Sequence, residues 1–166
     1  MDKFIFLDVD GVLNDSETMT SAPYGGTGLD DSHLIQLKHL VNTTDAKIIL
    51  SSDWRFNEVN FRDLFPQWKT SEDDWFYLTS SLMKFDLHIF DITKDRCFKR
   101  GNEIKMWLWR QTPPFSFVIL DDLPLDEFDG LHSHLIHTNP EVGLTWDDIW
   151  KAQEILKTIE MRHLKI

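Results

Sequence analysis

FIFLDVDGVLND, residues 4–15, decides the reading of this chain. Four apolar residues, Phe4 to Leu7, run straight into Asp8-Val9-Asp10 and then Gly11. An unbroken apolar run of this kind fits a strand buried on both faces, as at the centre of a parallel sheet. Two carboxylates one residue apart at the tip of such a strand repel each other, and burial makes the repulsion worse. Either a positive group sits beside them or one of them holds a proton.

Two later stretches repeat the pattern. Lys47 to Leu50 (KIIL) ends in Ser51-Ser52, and Phe115 to Leu120 ends in Asp121-Asp122. Shorter strands are expected over 87–92 and 134–137. Helices are predicted between them. The first spans about 32–42, is capped by Asp31 or Ser32, and carries Leu34, Leu37, Leu40 and Val41 as its apolar stripe. Others are read over 55–66, around 75–83 and over 101–109. The last runs over 146–162 behind Thr145. Residues 14–30, with Pro23 and Gly25-Gly26, read as a loop or flap. Strands alternating with helices imply a parallel sheet of βαβ units. Ligands bind such sheets beyond the carboxyl ends of the strands. That rim would collect Asp8, Asp10, Ser51, Asp121 and Asp122.

The chain has 166 residues, a length that suits a single domain over 1–166. Its net charge of −11 gives no general phosphate-attracting field, so non-specific nucleic-acid binding is not expected. A local basic pocket for a nucleic-acid end stays compatible with that balance. Cys97 is the single cysteine, which rules out an internal disulfide and suits a reducing compartment. Neither a signal-peptide pattern nor an apolar run long enough to span a membrane is read, so the expectation is a soluble, cytoplasmic protein with no membrane partner. Oligomeric state is not legible.

The strand-end signatures together resemble the haloacid dehalogenase (HAD) superfamily of phosphohydrolases. They are Asp8-Val9-Asp10-Gly11-Val12, Ser51 after KIIL, the basic pair Lys99-Arg100 at a helix start, and Asp121-Asp122 after FVIL. LSSDWR (50–55), RGNEIKMWL (100–108), FVILDD (117–122) and GLTWDD (143–148) narrow the resemblance to the HAD domains of Swiss Army Knife RNA repair proteins. A Gly-x-Thr-Pro-like segment of that subfamily is replaced here by Asp91-Ile92-Thr93-Lys94.

The resemblance implies a HAD-like Rossmannoid fold: a three-layer α/β/α sandwich on a central parallel sheet, with little or no cap. The gap at 14–30 is too short for a cap domain, and Asp53 to Lys99 leaves room only for a small lid within about 67–85. It also implies a mechanism. Asp8 attacks phosphorus and forms an aspartyl-phosphate that water then hydrolyses, and Asp10 serves as general acid and then general base. Ser51, or alternatively Ser52, donates to a phosphoryl oxygen, and Arg100, or alternatively Lys99, holds the phosphate. Mg²⁺ is the implied cofactor, on Asp8, the main-chain carbonyl of Asp10, and Asp121 or Asp122. An aspartate at position 10 favours phosphate monoesters. The implied activity is therefore an Mg²⁺-dependent phosphatase that hydrolyses phosphate monoesters, on a phosphorylated small molecule or a nucleic-acid end. The alternatives are a polynucleotide-end phosphatase or nucleotidase, or, in another class, a catalytically silent HAD domain used for binding.

Other residues carry plainer readings. Asp53 reads as solvated and Cys97 as an apolar filler. His132, His134 and His137 have no common zinc spacing and read as strand and surface residues. Trp54, Phe56, Phe61, Phe65, Trp68, Trp75, Phe76 and Tyr77 read as core, with a base-stacking platform as the alternative, and Trp146, Ile149, Trp150, Ile155, Leu156 and Ile159 on the last helix read as core.

Overall fold

The apolar runs become five parallel strands. In the computed structural model, which describes residues 1–21, 28–57, 72–95 and 97–161, they are β1 (Asp2–Leu7), β2 (Lys47–Leu50), β3 (Ile89–Ile92), β4 (Phe115–Asp121) and β5 (Leu135–His137). Their order across the sheet is β3-β2-β1-β4-β5, all parallel. The helices are α1 (Ser16–Ser21), α2 (Asp31–Thr44), α3 (Glu72–Lys84), α4 (Arg100–Trp109) and α5 (Trp146–Ile155).

Because strand side chains alternate between faces, β1 feeds two cores. Ile5 and Leu7 pack with Leu34, Leu37 and Leu40 of α2, Leu78 and Leu82 of α3, and Ile149 and Ala152 of α5. Phe4 and Phe6 pack on the other face with Ile104, Trp107 and Leu108 of α4 and with Phe128 and Leu131. The Trp107 ring meets Phe4 and Phe6 edge-on, with centroids 4.9 and 5.4 Å away. Such pairs add about 0.5–1.5 kcal/mol each beyond their burial. The result is the expected three-layer α/β/α sandwich.

Register is what aims the site. Leu7 lies level with Leu50 of β2 and Leu120 of β4, and Leu50 in turn with Ile92 of β3. The next residue on each strand is Asp8, Ser51, Asp121 and Thr93. The ladder continues into that rung: Asp8 N–H donates to the Leu120 carbonyl at 2.9 Å, Ser51 N–H to Leu7 at 2.9 Å, and Thr93 N–H to Leu50 at 3.1 Å.

Several expectations change. Residues 14–30 are not all loop, since α1 lies within them. The α2 cap is Asp30, whose side chain accepts from Ser32 N–H at 2.6 Å, and the helix runs to Thr44. Asp53–Asn57 is a short 3-10 helix, and 58–66, the rest of the helix expected there, lies outside the described residues. The helix read around 75–83 is α3, which begins at Glu72 and buries Leu78 and Leu82 in the core; 67–71 lie outside the described residues. Its Phe76 and Tyr77 are exposed. The side chains of Phe56, Phe61, Phe65, Trp68 and Trp75 also fall outside the description.

The last helix stops at Ile155 rather than 162, and the chain then turns back so that Glu160 pairs with Phe115 at the start of β4. Ile149, Ala152 and Leu156 carry its burial, while Trp146, Trp150 and Ile159 face outward. Among the described residues, no helix is long and apolar enough to cross a membrane.

Gly101, in the first turn of α4, sits close against the segment after β4. A Cβ there would lie 2.6 Å from the Glu127 carbonyl oxygen and 3.0 Å from the Phe128 Cα. In an open helix, Gly→Ala stabilises by about 1 kcal/mol. Here the neighbour is backbone, which yields poorly, and overpacking of this kind costs about 1–3 kcal/mol. Gly101→Ala should therefore lower the urea midpoint of unfolding, whereas a raised midpoint would show that the contact gives way.

Candidate active site

The rung beyond the sheet's carboxyl end places Asp8 at its centre, buried. Asp121, on the neighbouring strand, is fully buried, and Asp122 follows it half-buried. One carboxylate oxygen from each of these three lies within 4.8 Å of the others. Gly11 makes this approach possible. Its φ is +69°, and a Cβ there would sit 2.4 Å from Asp122 Oδ2, so both the turn and the space call for glycine.

Three carboxylates this close raise one another's proton affinity. Burial pushes the Asp8 carboxyl above its ordinary value, against the pull of Arg100, Ser52 and the Val9 N–H. Burial, and then the neighbouring Asp8 charge, hold Asp121 well above the carboxylate range. The same two causes raise Asp122. The counter-charge is Arg100, at the start of α4. Its Nη1 lies 3.2 Å from Asp121 Oδ2 and 3.5 Å from Asp8 Oδ1. Burial opposes its charge, but the surrounding Asp8, Asp121, Asp53 and Glu103 outweigh that and raise its pKa. Lys99 points elsewhere, 2.8 Å from Asp129 and hydrogen-bonded to the Asp126 carbonyl. Of the two basic candidates, Arg100 faces the carboxylates.

One guanidinium does not neutralise three carboxylates. The cluster is all oxygen, anionic and convergent, which is the donor set a hard divalent cation takes. The residues therefore fit the implied metal.

Asp10 stands apart from that group. Its Oδ2 accepts from Trp54 Nε1 at 2.9 Å and its Oδ1 from Asn14 Nδ2 at 2.8 Å. Asn14 is itself fixed, because its Oδ1 accepts from Gly11 N–H at 2.8 Å. The carboxylate is thus held by two donors and cannot swing freely. Neither donor was legible as a site residue. Trp54 read as core, and it is buried, but its indole N–H is spent on Asp10. The signal for Asn14 was only its place four residues after Asp10.

Ser51 and Ser52 are both buried. Ser51 Oγ has no hydrogen-bond partner, so its hydroxyl could donate to a ligand oxygen. Ser52 is engaged: it hydrogen-bonds Asp8, and its Oγ accepts from Trp54 N–H at 3.3 Å. Thr93, in the segment that departs from the subfamily pattern, also has a buried hydroxyl without a partner.

Arg55 and Glu103 were missed. Arg55 is almost wholly buried, and its Nη2 lies 2.5 Å from Glu103 Oε2. Its Nη1 donates to the carbonyls of Ser51 and Ser52, the latter at 2.8 Å. Glu103 Oε2 is also 4.0 Å from Arg100 Nε. The pair therefore ties the serine turn to the helix that carries Arg100. Such pairing is tertiary, and nothing in the local sequence announces it.

A cavity of about 350 Å³ opens beside Arg100, lined by Asp53, Arg55, Cys97, Phe98 and Leu123 among others. Asp53 is exposed as expected, yet its carboxylate is 3.5 Å from Arg100 Nη2. Phe98 is 98% exposed. Cys97 is half-buried in the wall rather than a core filler, and burial with nearby Glu103 and Asp95 pushes its thiol pKa up, away from the reactive thiolate. His134 stacks on Phe117 at 4.0 Å, and His132 and His137 are exposed. Among the described residues the three histidines form no metal group.

No curated protein and no solved structure matches the chain. A family model does match, over residues 4–149: the HAD domain in Swiss Army Knife RNA repair proteins. The level strand tips, the parallel sheet and this match converge, and the chain belongs to that family within the HAD hydrolase superfamily.

Proposed function

We propose that the chain is an Mg²⁺-dependent phosphatase that hydrolyses phosphate monoesters through an aspartyl-phosphate on Asp8. The observation that carries this reading is the division of labour among the carboxylates. Asp8, Asp121 and Asp122 converge on one point beside Arg100, while Asp10 is held separately by Trp54 and Asn14.

Asp8 is the nucleophile. Its oxygen attacks phosphorus, the bond to the leaving oxygen breaks, and the phosphoryl group is carried on Asp8. Asp10 gives its proton to the leaving oxygen and then takes one from the water that cleaves the acyl phosphate. Its two donors fix the direction of that transfer. Ser51 Oγ–H donates to a phosphoryl oxygen, and Arg100 offsets charge that builds on the other oxygens. Asp8, Asp121 and Asp122, with the Asp10 main-chain carbonyl, would hold Mg²⁺. When bound, the cation supplies positive charge that draws the carboxylates into ionised form and polarises the phosphoryl group.

The exposed Phe98 beside the cavity favours a second reading within the same chemistry, a phosphorylated polynucleotide end whose terminal base stacks on that ring. The description of the family, tied to RNA repair, supports this class. A silent binding module is disfavoured, because Asp8, Asp10, Ser51, Arg100 and Asp121 are all in place. The proposed setting is cytoplasmic.

Wild type should hydrolyse a chromogenic phosphomonoester with Mg²⁺ present, and Asp8→Asn should fall to background. Retained turnover in Asp8→Asn would sink the nucleophile assignment, and no turnover of any ester by wild type would point to the binding module. Phosphate release from 3′- and 5′-phosphorylated oligonucleotides, set beside mononucleotides, separates the substrate classes.

Trp54→Phe keeps an aromatic ring but removes the indole donor to Asp10. Leaving a part-buried acceptor without its donor costs about 1–3 kcal/mol, roughly tenfold or more. The expected result is a lower kcat with KM little changed. An unchanged kcat would mean that Asp10 needs no such anchor.

The raised carboxyl groups set a pH dependence. Without a cation, folded Asp8, Asp121 and Asp122 keep protons that the unfolded chain has already lost. Their contribution to stability is present below the ordinary carboxylate pKa and is lost as pH rises through the raised values. Cation binding needs those protons gone, so its stabilising effect grows over the same window. Thermal melts with Mg²⁺ and with a chelator should diverge more at pH 7.5 than at pH 5. An equal divergence at both values would exclude this coupling.

A further inference from the structure

The cavity beside Arg100 and the carboxylate cluster share one side chain. Arg100 Nη1 faces Asp121 at 3.2 Å and Asp8 at 3.5 Å, whereas Nη2 faces Asp53 at 3.5 Å on the cavity side. A phosphoryl group held by this guanidinium has the cavity next to it, so the ester part of the substrate is what the cavity can receive. Its volume of about 350 Å³ suits a small organic group.

The charge of the wall is the telling feature. Among the described residues it sets the carboxylates of Asp53, Glu103 and Glu127 against the guanidinium groups of Arg55 and Arg100. Both cations are already engaged. Arg55 Nη2 lies 2.5 Å from Glu103, and Arg100 answers Asp8 and Asp121. Asp53 and Glu127 are left facing the space. The Asp53 side chain is 77% exposed, and its contacts to Arg100 and Arg55 are long, 3.5 and 3.7 Å. Glu127 is half-buried, and its Oε2 accepts from the Arg100 backbone N–H at 2.9 Å, a neutral donor that leaves the negative charge in place.

An exposed anion beside the arginine suited to phosphate does not help draw phosphate in. What it does is act on whatever else the substrate carries. Like charges about 5 Å apart in water repel enough to change an affinity about fourfold, and more where solvent is partly excluded. Hydroxyl groups, by contrast, can donate to the same carboxylates. The rest of the wall includes Leu123 and the exposed ring of Phe98, against which a flat ring can stack.

We propose that this cavity is a leaving-group pocket with a charge filter. It takes the uncharged, hydroxyl-bearing and ring-containing part of a small phosphate monoester, such as a nucleoside, and Asp53 and Glu127 turn away an ester that carries a second phosphate. The inference rests on the phosphatase reading and narrows it to nucleoside monophosphates over polynucleotide ends. The Phe98 ring serves a nucleoside as well as a terminal base, so charge decides between them. Asp53 and Glu127 are thereby specificity-determining residues.

The test compares substrates that differ by one charge. Diadenosine bearing one terminal phosphate, at the 5′ or the 3′ end, is offered to the full chain with Mg²⁺ in two forms, one with an ordinary phosphodiester link and one with an uncharged methylphosphonate link. Wild type should show a kcat/KM about four- to tenfold higher for the uncharged link. That preference should shrink to about twofold or less in the double variant Asp53→Asn, Glu127→Gln. It should shrink likewise in wild type at about 0.5 M salt, where charges are screened beyond about 4 Å. A ratio of two substrates cancels any shift of Arg100 that the substitutions bring, so a purely structural role leaves it unmoved. Phe98→Ala, at an exposed position, should lower kcat/KM for adenosine 5′-monophosphate about fivefold or more relative to glycerol phosphate. Equal or reversed values for the two links in wild type overturn the filter, as does a preference that the double variant or high salt leaves unchanged. Turnover of adenosine 5′-monophosphate with both diadenosine forms inert assigns the exclusion to size and overturns it too. An unchanged ratio in Phe98→Ala overturns the ring contact. If p-nitrophenyl phosphate and all of these esters are inert, the phosphatase reading falls and the filter with it; turnover of p-nitrophenyl phosphate without a preference removes the filter alone.

Discussion

Three carboxylates and one guanidinium share the space beyond the tip of the central strand, and much of the molecule is arranged to make that tolerable. Buried like charges are among the costliest arrangements a fold can hold. Here the strain is concentrated at Asp121, which has no exposure at all and sits beside Asp8. Arg100 offsets part of it, and Arg100 is in turn placed by Glu103, Asp53 and the close seating of α4 at Gly101. The cluster is the donor set whose charge a hard divalent cation would offset.

The same logic orders the surrounding groups. Arg55, buried and paired with Glu103 through Nη2, donates through Nη1 to the carbonyls of Ser51 and Ser52. Those carbonyls lie in the turn just after β2, where the Ser52 carbonyl also accepts from Arg55 N–H at 3.1 Å. The arginine therefore satisfies that turn and braces the helix opposite through a single side chain. Asp10 is braced by a different route, through Trp54 from the same turn and Asn14 from its own. Both arrangements put rigid, hydrogen-bonded support behind the groups proposed to react, the condition under which preorganised charge is most effective.

What the sequence made legible follows from which signals are local. The strand tips were readable because an apolar run followed by Asp or Ser is visible in one window, and parallel topology brings such tips together. Asp8, Asp121, Asp122 and Ser51 meet for that reason. Arg100 could be separated from Lys99 only in three dimensions, since both stand at one helix start and only packing decides which turns inward. Trp54 is a case of a double role: its ring is core, and its N–H is not. The last helix misled for a physical reason. Its apolar residues continue to Ile159 at helical spacing, but pairing of Glu160 with Phe115 ends the helix early, and Trp146 and Trp150 lie on the outward side.

The level ending of the strands carries an evolutionary consequence. Asp8, Ser51 and Asp121 are neighbours at the rim only because Leu7, Leu50 and Leu120 share one rung. An inserted or deleted residue within any one of these strands shifts its tip by about 3.3 Å and turns every following side chain to the opposite face. A substitution at a buried leucine alters packing by a few atoms, whereas such a length change dismantles the rim in one step. Strand length should therefore drift more slowly among descendants of this chain than the identity of the apolar residues that fill it, with gaps confined to the connections.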